Sequence, residues 1–205
     1  MRQKYIAIID YGMGNLKSVS RAFTHLGAHI CITRDANKIN QADKIVLPGV
    51  GAFGHCINNL KQHNLIEPIK NNIQQGKLFL GICLGLQVLF ESSEESPTNQ
   101  GLGIIKGQVN KFTDQKLKIP HMGWNQINIK NSPKLFKNIP ENSYFYFVHS
   151  YYSNPVEPID IAASCHYQLN FCAAIEQDNI MACQFHPEKS QKWGLKILEN
   201  FINMS

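Results

Sequence analysis

The sequence predicts an α/β fold with a mainly parallel central sheet, flanking helices and a strand-rich, partly antiparallel second half, all in one domain over residues 1–205. Three observations carry this expectation. Short apolar runs alternate with segments of helical periodicity through the first half. Glycine- and proline-rich breaks fall where those runs end. From Gly107 the helical spacing gives way to short strand-like runs separated by Pro and Asn turns.

The elements follow in chain order. Tyr5 to Ile9 is an apolar run ending at Asp10, and Tyr11-Gly12-Met13-Gly14-Asn15 leads into Leu16, Val19, Ala22, Phe23 and Leu26 at helical spacing, which predicts strand, glycine turn and helix. Gly27 is placed to end that helix, and His29 to Thr33 reads as a second strand. Lys44 to Leu47 is a third strand, expected to stop at Pro48-Gly49-Val50-Gly51 because proline and glycine disfavour continued pairing. A helical stretch runs through Leu60 to Ile73, Lys77 to Ile82 is a fourth strand, and Leu84 to Phe90 is helical again. The second half offers strands at Gln108 to Phe112, Asn125 to Lys130, Tyr144 to Val148, Ile159 to Ser164, Phe171 to Glu176 and Ile180 to Phe185. Ser190 is placed to cap a final helix in which Leu195, Leu198, Phe201 and Ile202 share a face.

Composition narrows the function classes. Hydrophobic residues make up 43% and charged residues 17%, enough apolar surface for a core and too little charge for a disordered chain. The net charge of +5 includes only Arg2, Arg21 and Arg34 as arginines, with no basic run, which argues against nucleic-acid reading. The longest apolar stretch, Leu78 to Phe90, is too short for a membrane span, and Met1 to Tyr5 lead directly into a strand with no cleavable leader, so a cytoplasmic location is expected. Six scattered cysteines without a Cys-x-x-Cys pair read as reduced thiols; no metal and no cofactor are expected.

Gly81-Ile82-Cys83-Leu84-Gly85 stands where the fourth strand turns into a helix, with the glycine-x-nucleophile-x-glycine pattern of a nucleophile elbow. Side chains at the flanking positions would crowd that turn, and the following helix N-terminus favours thiolate. The bland alternative is a buried thiol, which suits the other five cysteines better. A thiol nucleophile needs a base and a group to orient it. Phe185-His186-Pro187-Glu188 follows an apolar strand, and in extended chain Glu188 lies on the same face as His186, able to hold its tautomer. The alternative for His186 is a satisfied histidine at a strand end. Gly49, Val50 and Gly51 allow backbone amides to point at a developing oxyanion, with the Leu84 amide as a further donor; alone, this segment reads as a plain turn.

With these pieces together, the chain resembles the class I glutamine amidotransferases, and within them the glutaminase subunits of imidazole glycerol phosphate synthase. The matching stretches are Asp10 to Leu16, Leu47 to Phe53, Gly81 to Gln87, Pro120-His121-Met122-Gly123-Trp124-Asn125, Tyr146 to Tyr152 and Phe185 to Ser190, spread over the whole chain. The resemblance implies the class I glutamine amidotransferase fold, with Cys83 attacking the glutamine side-chain amide, His186 shuttling the proton to ammonia and Glu188 orienting His186. It implies an oxyanion site at Gly49, Val50, Gly51 and Leu84, and glutamine contacts at Gln87, Ser150 and Tyr151. It also implies a heterodimer with a (β/α)8 barrel cyclase that receives the ammonia, and Asn15, Met122, Trp124, Tyr146 and Lys189 match positions at or near that interface. On the residues alone Trp124 reads as a core aromatic.

Other readings share parts of this pattern. Gly12-x-Gly14 after the first strand begins a dinucleotide fingerprint, but Lys17 stands where the third glycine belongs. A stand-alone thiol peptidase or γ-glutamyl hydrolase has the same elbow and histidine, and an interaction protein with a dead site would have no need of Cys83, His186 and Glu188. A paralogous glutaminase subunit, supplying ammonia to aminate a surface-polysaccharide sugar precursor, looks nearly the same.

Overall fold

The computed structural model describes residues 4–113 and 118–205; Met1, Arg2 and Gln3 of the N-terminal stretch read above lie outside it. Among the described residues twelve strands form one mixed sheet. The parallel part consists of β1 (Ile6–Ile9), β2 (Ile30–Thr33), β3 (Lys44–Gly49), β4 (Leu78–Cys83) and β12 (Ile180–Cys183), in the order β2-β1-β3-β4-β12. From β12 the sheet continues antiparallel through β11 (Leu169–Gln177), β10 (Ile161–Tyr167), β7 (His121–Ile129) and β8 (Tyr144–His149). A side branch holds β9 (Tyr151–Pro155) against β11 and β6 (Gly107–Lys111), which in turn pairs with the two-residue β5 (Ser92–Ser93). Parallel first half and antiparallel second half are as the sequence predicts.

Among the described residues the helices beside the sheet are α1 (Leu16–His25), α2 (Ala36–Gln41), α3 (Phe53–Gln62), α4 (Ile66–Gln74), α5 (Leu84–Gln87) and α6 (Gln191–Asn203). Strand alternation sorts the core into two layers. Ile6, Ile8, Val46, Leu80 and Ile82 pack with Val19 and Phe23 of α1 and Leu198 and Phe201 of α6. Ile9, Ile45, Leu47 and Phe79 pack on the other face with Ile57 and Leu60 of α3 and Ile69 of α4. Gly27 ends α1 with φ +79°, and the Ala28 amide donates back to the Phe23 carbonyl at 3.1 Å.

Several sequence expectations shift. Pairing of β3 does not stop at Leu47: Pro48 stands opposite Ile82 and Gly49 opposite Cys83. The proline is tolerated because the ladder between β1 and β3 ends at Ile8 and Val46, so its missing N–H deprives no strand on that side. The helical stretch at 60–73 is two helices broken at Asn64, which takes φ +54°. The helix expected over Leu84 to Phe90 is the single turn α5. A 3-10 turn at Pro158–Asp160 occupies the start of the strand expected at Ile159, and β7 begins at His121 rather than Asn125.

Ser190 stands at the N-cap of α6 but its hydroxyl does not cap the helix. It donates to the His186 carbonyl at 2.6 Å and accepts from the Tyr146 amide at 3.0 Å, spending its bonds on the segment that carries His186.

Candidate active site

The carboxyl ends of β3, β4 and β12 lie side by side, and each delivers one part of the site. Cys83 ends β4 at φ +55° and ψ −107°, a strained conformation for a residue with a side chain. Its glycine neighbours are required sterically: a Cβ on Gly81 would lie 2.5 Å from the Gly85 carbonyl oxygen, and one on Gly85 only 1.9 Å from that of Leu47 on β3. The elbow is therefore wedged against the neighbouring strand as well as folded on itself.

His186 follows β12, and its side chain is 2% exposed, with that of Glu188 fully buried. The imidazole Nδ1 meets Glu188 Oε1 at 2.9 Å, while Nε2 is buried with no hydrogen-bond partner among the described residues. That leaves Nε2 available to exchange a proton with the thiol or substrate. Burial works against the imidazolium, but the Cys83 sulfur and the Glu188 carboxylate outweigh it and raise the His186 pKa. Glu188 Oε1 also lies 3.5 Å from Asn15 Nδ2, which draws the Asn15 side chain away from capping α1.

A cavity of about 300 Å³ opens onto this group, lined among others by Val50, Gly51, Cys83, Leu84, Gln87 and His186. Ser150 and Tyr151 line it as well. Gly49 lies just outside the lining, opposite Cys83 in the ladder. The loop before α1 backs this strand: a Cβ on Gly51 would meet Met13 Cε at 2.6 Å, and one on Gly14 the Pro48 carbonyl oxygen at 3.4 Å. Gly14 and Met13 thus lie in contact with the 48–51 segment, while Gly12 faces Asn59 of α3. Gln87 is 5% exposed; its amide donates to the Tyr151 carbonyl at 2.9 Å and to Gln184 Oε1 at 3.0 Å.

Sequence reasoning missed three residues here. Gln184 is fully buried and its amide lies 3.6 Å from the Cys83 sulfur. Pro187–Lys189 form a 3-10 turn, so Glu188 reaches His186 through that turn and not along the extended chain the sequence predicts. Gln184, two residues before His186, still follows the alternation of an extended segment, so its signal was present. Glu95 lines the cavity and accepts from the Phe53 amide at 2.7 Å; nothing in the acidic run around it singles it out. Ser190 reads as a cap from its position alone.

Of the interface candidates, Met122, Trp124, Tyr146 and Lys189 cluster on β7, β8 and the turn after His186, while the Asn15 amide turns to Glu188. Met122 and Trp124, on the outward face of β7, are 61% and 45% exposed, which overturns the core reading of Trp124. Trp124 pairs with Tyr146 across the ladder, with ring centroids 6.1 Å apart, and Lys189 Nζ sits 5.8 Å from the Tyr146 ring.

A buried thiol on a strained turn, an imidazole held by a carboxylate, and a strand of glycines beside them can carry out acyl transfer. Comparison with known proteins fixes the family. The class-I glutamine amidotransferase model matches residues 7–204. The chain belongs to the class-I glutamine amidotransferase family. It is 51% identical over 205 residues to "Imidazole glycerol phosphate synthase subunit HisH" of Geobacter sulfurreducens, covering 97% of this chain and 98% of that one. The protein of the same description from Gloeothece citriformis is 52% identical over 202 residues, covering 97% and 95%. Among solved structures, PurLQS from Thermotoga maritima matches with a TM-score of 0.76 at 19% identity, covering 98% of this chain and 99% of that one. The glutaminase domain of CTPS from Trypanosoma brucei, solved with bound acivicin, matches with a TM-score of 0.69 at 15% identity, covering 99% and 95%. Both structures share the fold of this chain.

Proposed function

We propose that the protein is the glutaminase subunit of imidazole glycerol phosphate synthase in histidine biosynthesis, one domain over residues 1–205 that hydrolyses L-glutamine and passes ammonia to a partner. The observation that carries this reading is the near-full-length, 51% identity to a protein of that description, in a chain whose Cys83 and His186 line one cavity, with Glu188 bonded to His186 behind it. The relatives' description also favours the histidine pathway over sugar amination.

In the proposed reaction His186 Nε2 takes the Cys83 thiol proton and the sulfur attacks the side-chain amide carbon of glutamine. The oxyanion that forms is met by backbone donors at Leu84 and along Gly49, Val50 and Gly51. His186 then gives its proton to the departing nitrogen, and ammonia leaves a γ-glutamyl thioester on Cys83. Water, activated by the same imidazole, cleaves the thioester to glutamate and restores the thiol. Glu188 keeps Nδ1 protonated so that Nε2 carries the traffic. Gln87, Ser150 and Tyr151 hold the glutamine, and the Glu95 carboxylate on the same wall suits its α-ammonium group.

Ammonia protonated in bulk water is no nucleophile, so transfer needs a covered exit. The exposed Met122, Trp124 and Tyr144 support a subunit over a stand-alone hydrolase, since aromatic and methionine side chains anchor interfaces. A (β/α)8 cyclase is the partner proposed for this face, seated over Asn15, Met122, Trp124, Tyr146 and Lys189. No helix of the described residues is long and apolar enough to cross a membrane, and a site built on a free thiol suits the reducing cytoplasm. The test is Cys83→Ala in the assembled synthase: glutamine-dependent synthesis should be abolished while synthesis from added ammonium salt persists. Loss of both would contradict the division of labour.

A further inference from the structure

Two imidazoles are buried beside the cavity, and the proposed chemistry uses neither. His121 opens β7 and His149 closes β8 directly opposite it, 4% and 6% exposed. His121 is stacked between Phe147 and Tyr167, with centroids 4.9 and 4.0 Å away, and His149 lies against Phe112 and Phe171. Polar rings in such a setting are tolerated only with their nitrogens bonded.

Those bonds run one way. His149 Nδ1 lies 2.8 Å from the Tyr151 carbonyl oxygen, an acceptor only, so Nδ1 carries the proton. Burial pulls the His149 pKa down to about 3 and that of His121 to about 4, so both rings are neutral at pH 7. His149 Nε2 is then an acceptor, and His121 Nδ1, 2.9 Å away, donates to it. His121 Nε2 accepts in turn from Asn125 Nδ2 at 3.2 Å. The Asn125 amide is oriented by its other bonds, Nδ2 to the His166 carbonyl at 3.0 Å and Oδ1 from the Gln126 amide at 2.8 Å.

The Tyr151 carbonyl takes a second bond from Gln87 Nε2 on α5, so it is clamped from both sides. The other end of the chain lies on β7, where side chains alternate: His121 and Asn125 turn inward, and Met122 and Trp124 face outward.

We propose that Asn125, His121 and His149 form a one-way hydrogen-bonded relay that sets the Ser150–Tyr151 wall of the cavity and couples its position to the outer face of β7. His121 and Asn125 are positioning residues here, acting through His149 on the backbone that would hold glutamine. The inference rests on the glutamine-pocket reading above.

The test has two arms in the synthase complex. ¹⁵N-histidine NMR at pH 7 should find His121 and His149 both neutral and protonated on Nδ1; a proton on Nε2 of either ring overturns the relay. His121→Phe keeps the ring stack and removes the donor. Glutamine KM should rise about tenfold with kcat within about twofold, the loss of roughly one buried hydrogen bond. Ammonium-driven synthesis should hold. An unchanged KM, or a fall in kcat alone, in the folded, assembled variant overturns the proposal. Labelling of wild-type Cys83 by a glutamine-like electrophile tests the pocket itself: absence of labelling sinks that reading, whatever the tautomers prove to be.

Discussion

Cys83 occupies a conformation that few residues with side chains adopt, and the cost is borne by two neighbours that have none. Gly85→Ala would put a methyl 1.9 Å from the Leu47 carbonyl oxygen, with backbone on both sides unable to yield. The variant should lose roughly 3 kcal/mol, the upper end for overpacking, read as a lower urea midpoint. Stability equal to wild type would mean the elbow is looser than its geometry implies. Glu188→Gln keeps the shape of the pair and removes a charge that helps raise the His186 pKa. The imidazolium should therefore lose its proton at lower pH in the variant, followed by histidine NMR, and glutaminase turnover should fall. At this scale the local spacing made Cys83, His186 and Glu188 legible. Gln184, two residues before His186, and Ser190, whose hydroxyl accepts from the Tyr146 amide across the fold, show where reading stopped. Their roles depend on partners distant in sequence.

At the scale of elements, α6 ends over the β3 strand, and Lys44 Nζ donates to the carbonyls of Phe201, Ile202 and Met204 at 2.8, 2.6 and 2.5 Å. A cation there offsets the unpaired carbonyls and the dipole of the helix end. Lys44→Met should cost about 1–2 kcal/mol in denaturant unfolding and leave glutaminase activity intact, being at the opposite end of β3 from the cavity. Strands β7 and β8 carry a pH dependence. His121 and His149 ionise near 6.5 when unfolded, but burial lowers them to about 4 and about 3 in the fold. Between pH 6.5 and 4 the unfolded chain binds more protons than the native one, so stability is full above that range and is lost as pH falls through it. Each proton contributes about 1.4 kcal/mol per pH unit. The unfolding free energy should decline measurably between pH 6.5 and 5; a flat profile would mean the rings are charged or exposed. Strongly periodic elements were legible, while α2 was not, because Ile39 is its single buried residue. Strand β9 was hidden for another reason. The strand read from the sequence ends at Val148, because His149-Ser150 and Ser153-Asn154 interrupt the apolar run, and only pairing with β6 and β11 marks Tyr151–Pro155 as a strand.

The whole molecule places its cavity at the carboxyl ends of the parallel strands and its exposed aromatic face on β7 and β8 of the antiparallel extension, with β11 and β10 between β12 and β7 in the sheet. A subunit built this way should hydrolyse glutamine poorly alone, and partner carrying its own ligand should raise the rate about tenfold or more. Full activity in the isolated chain would favour the hydrolase reading. The fold class was legible because alternation of strand and helix in the first half, and of strand and turn in the second, dictates the layers. The cavity was not, since its walls come from segments as far apart as Val50 and His186. The most direct measurement is mass-spectrometric mapping after incubation with a glutamine-like electrophile, in the wild type and in His186→Ala. The account predicts a single adduct on Cys83 that is strongly slowed in the variant. Modification at another cysteine, or labelling of Cys83 at an unchanged rate without His186, would contradict it.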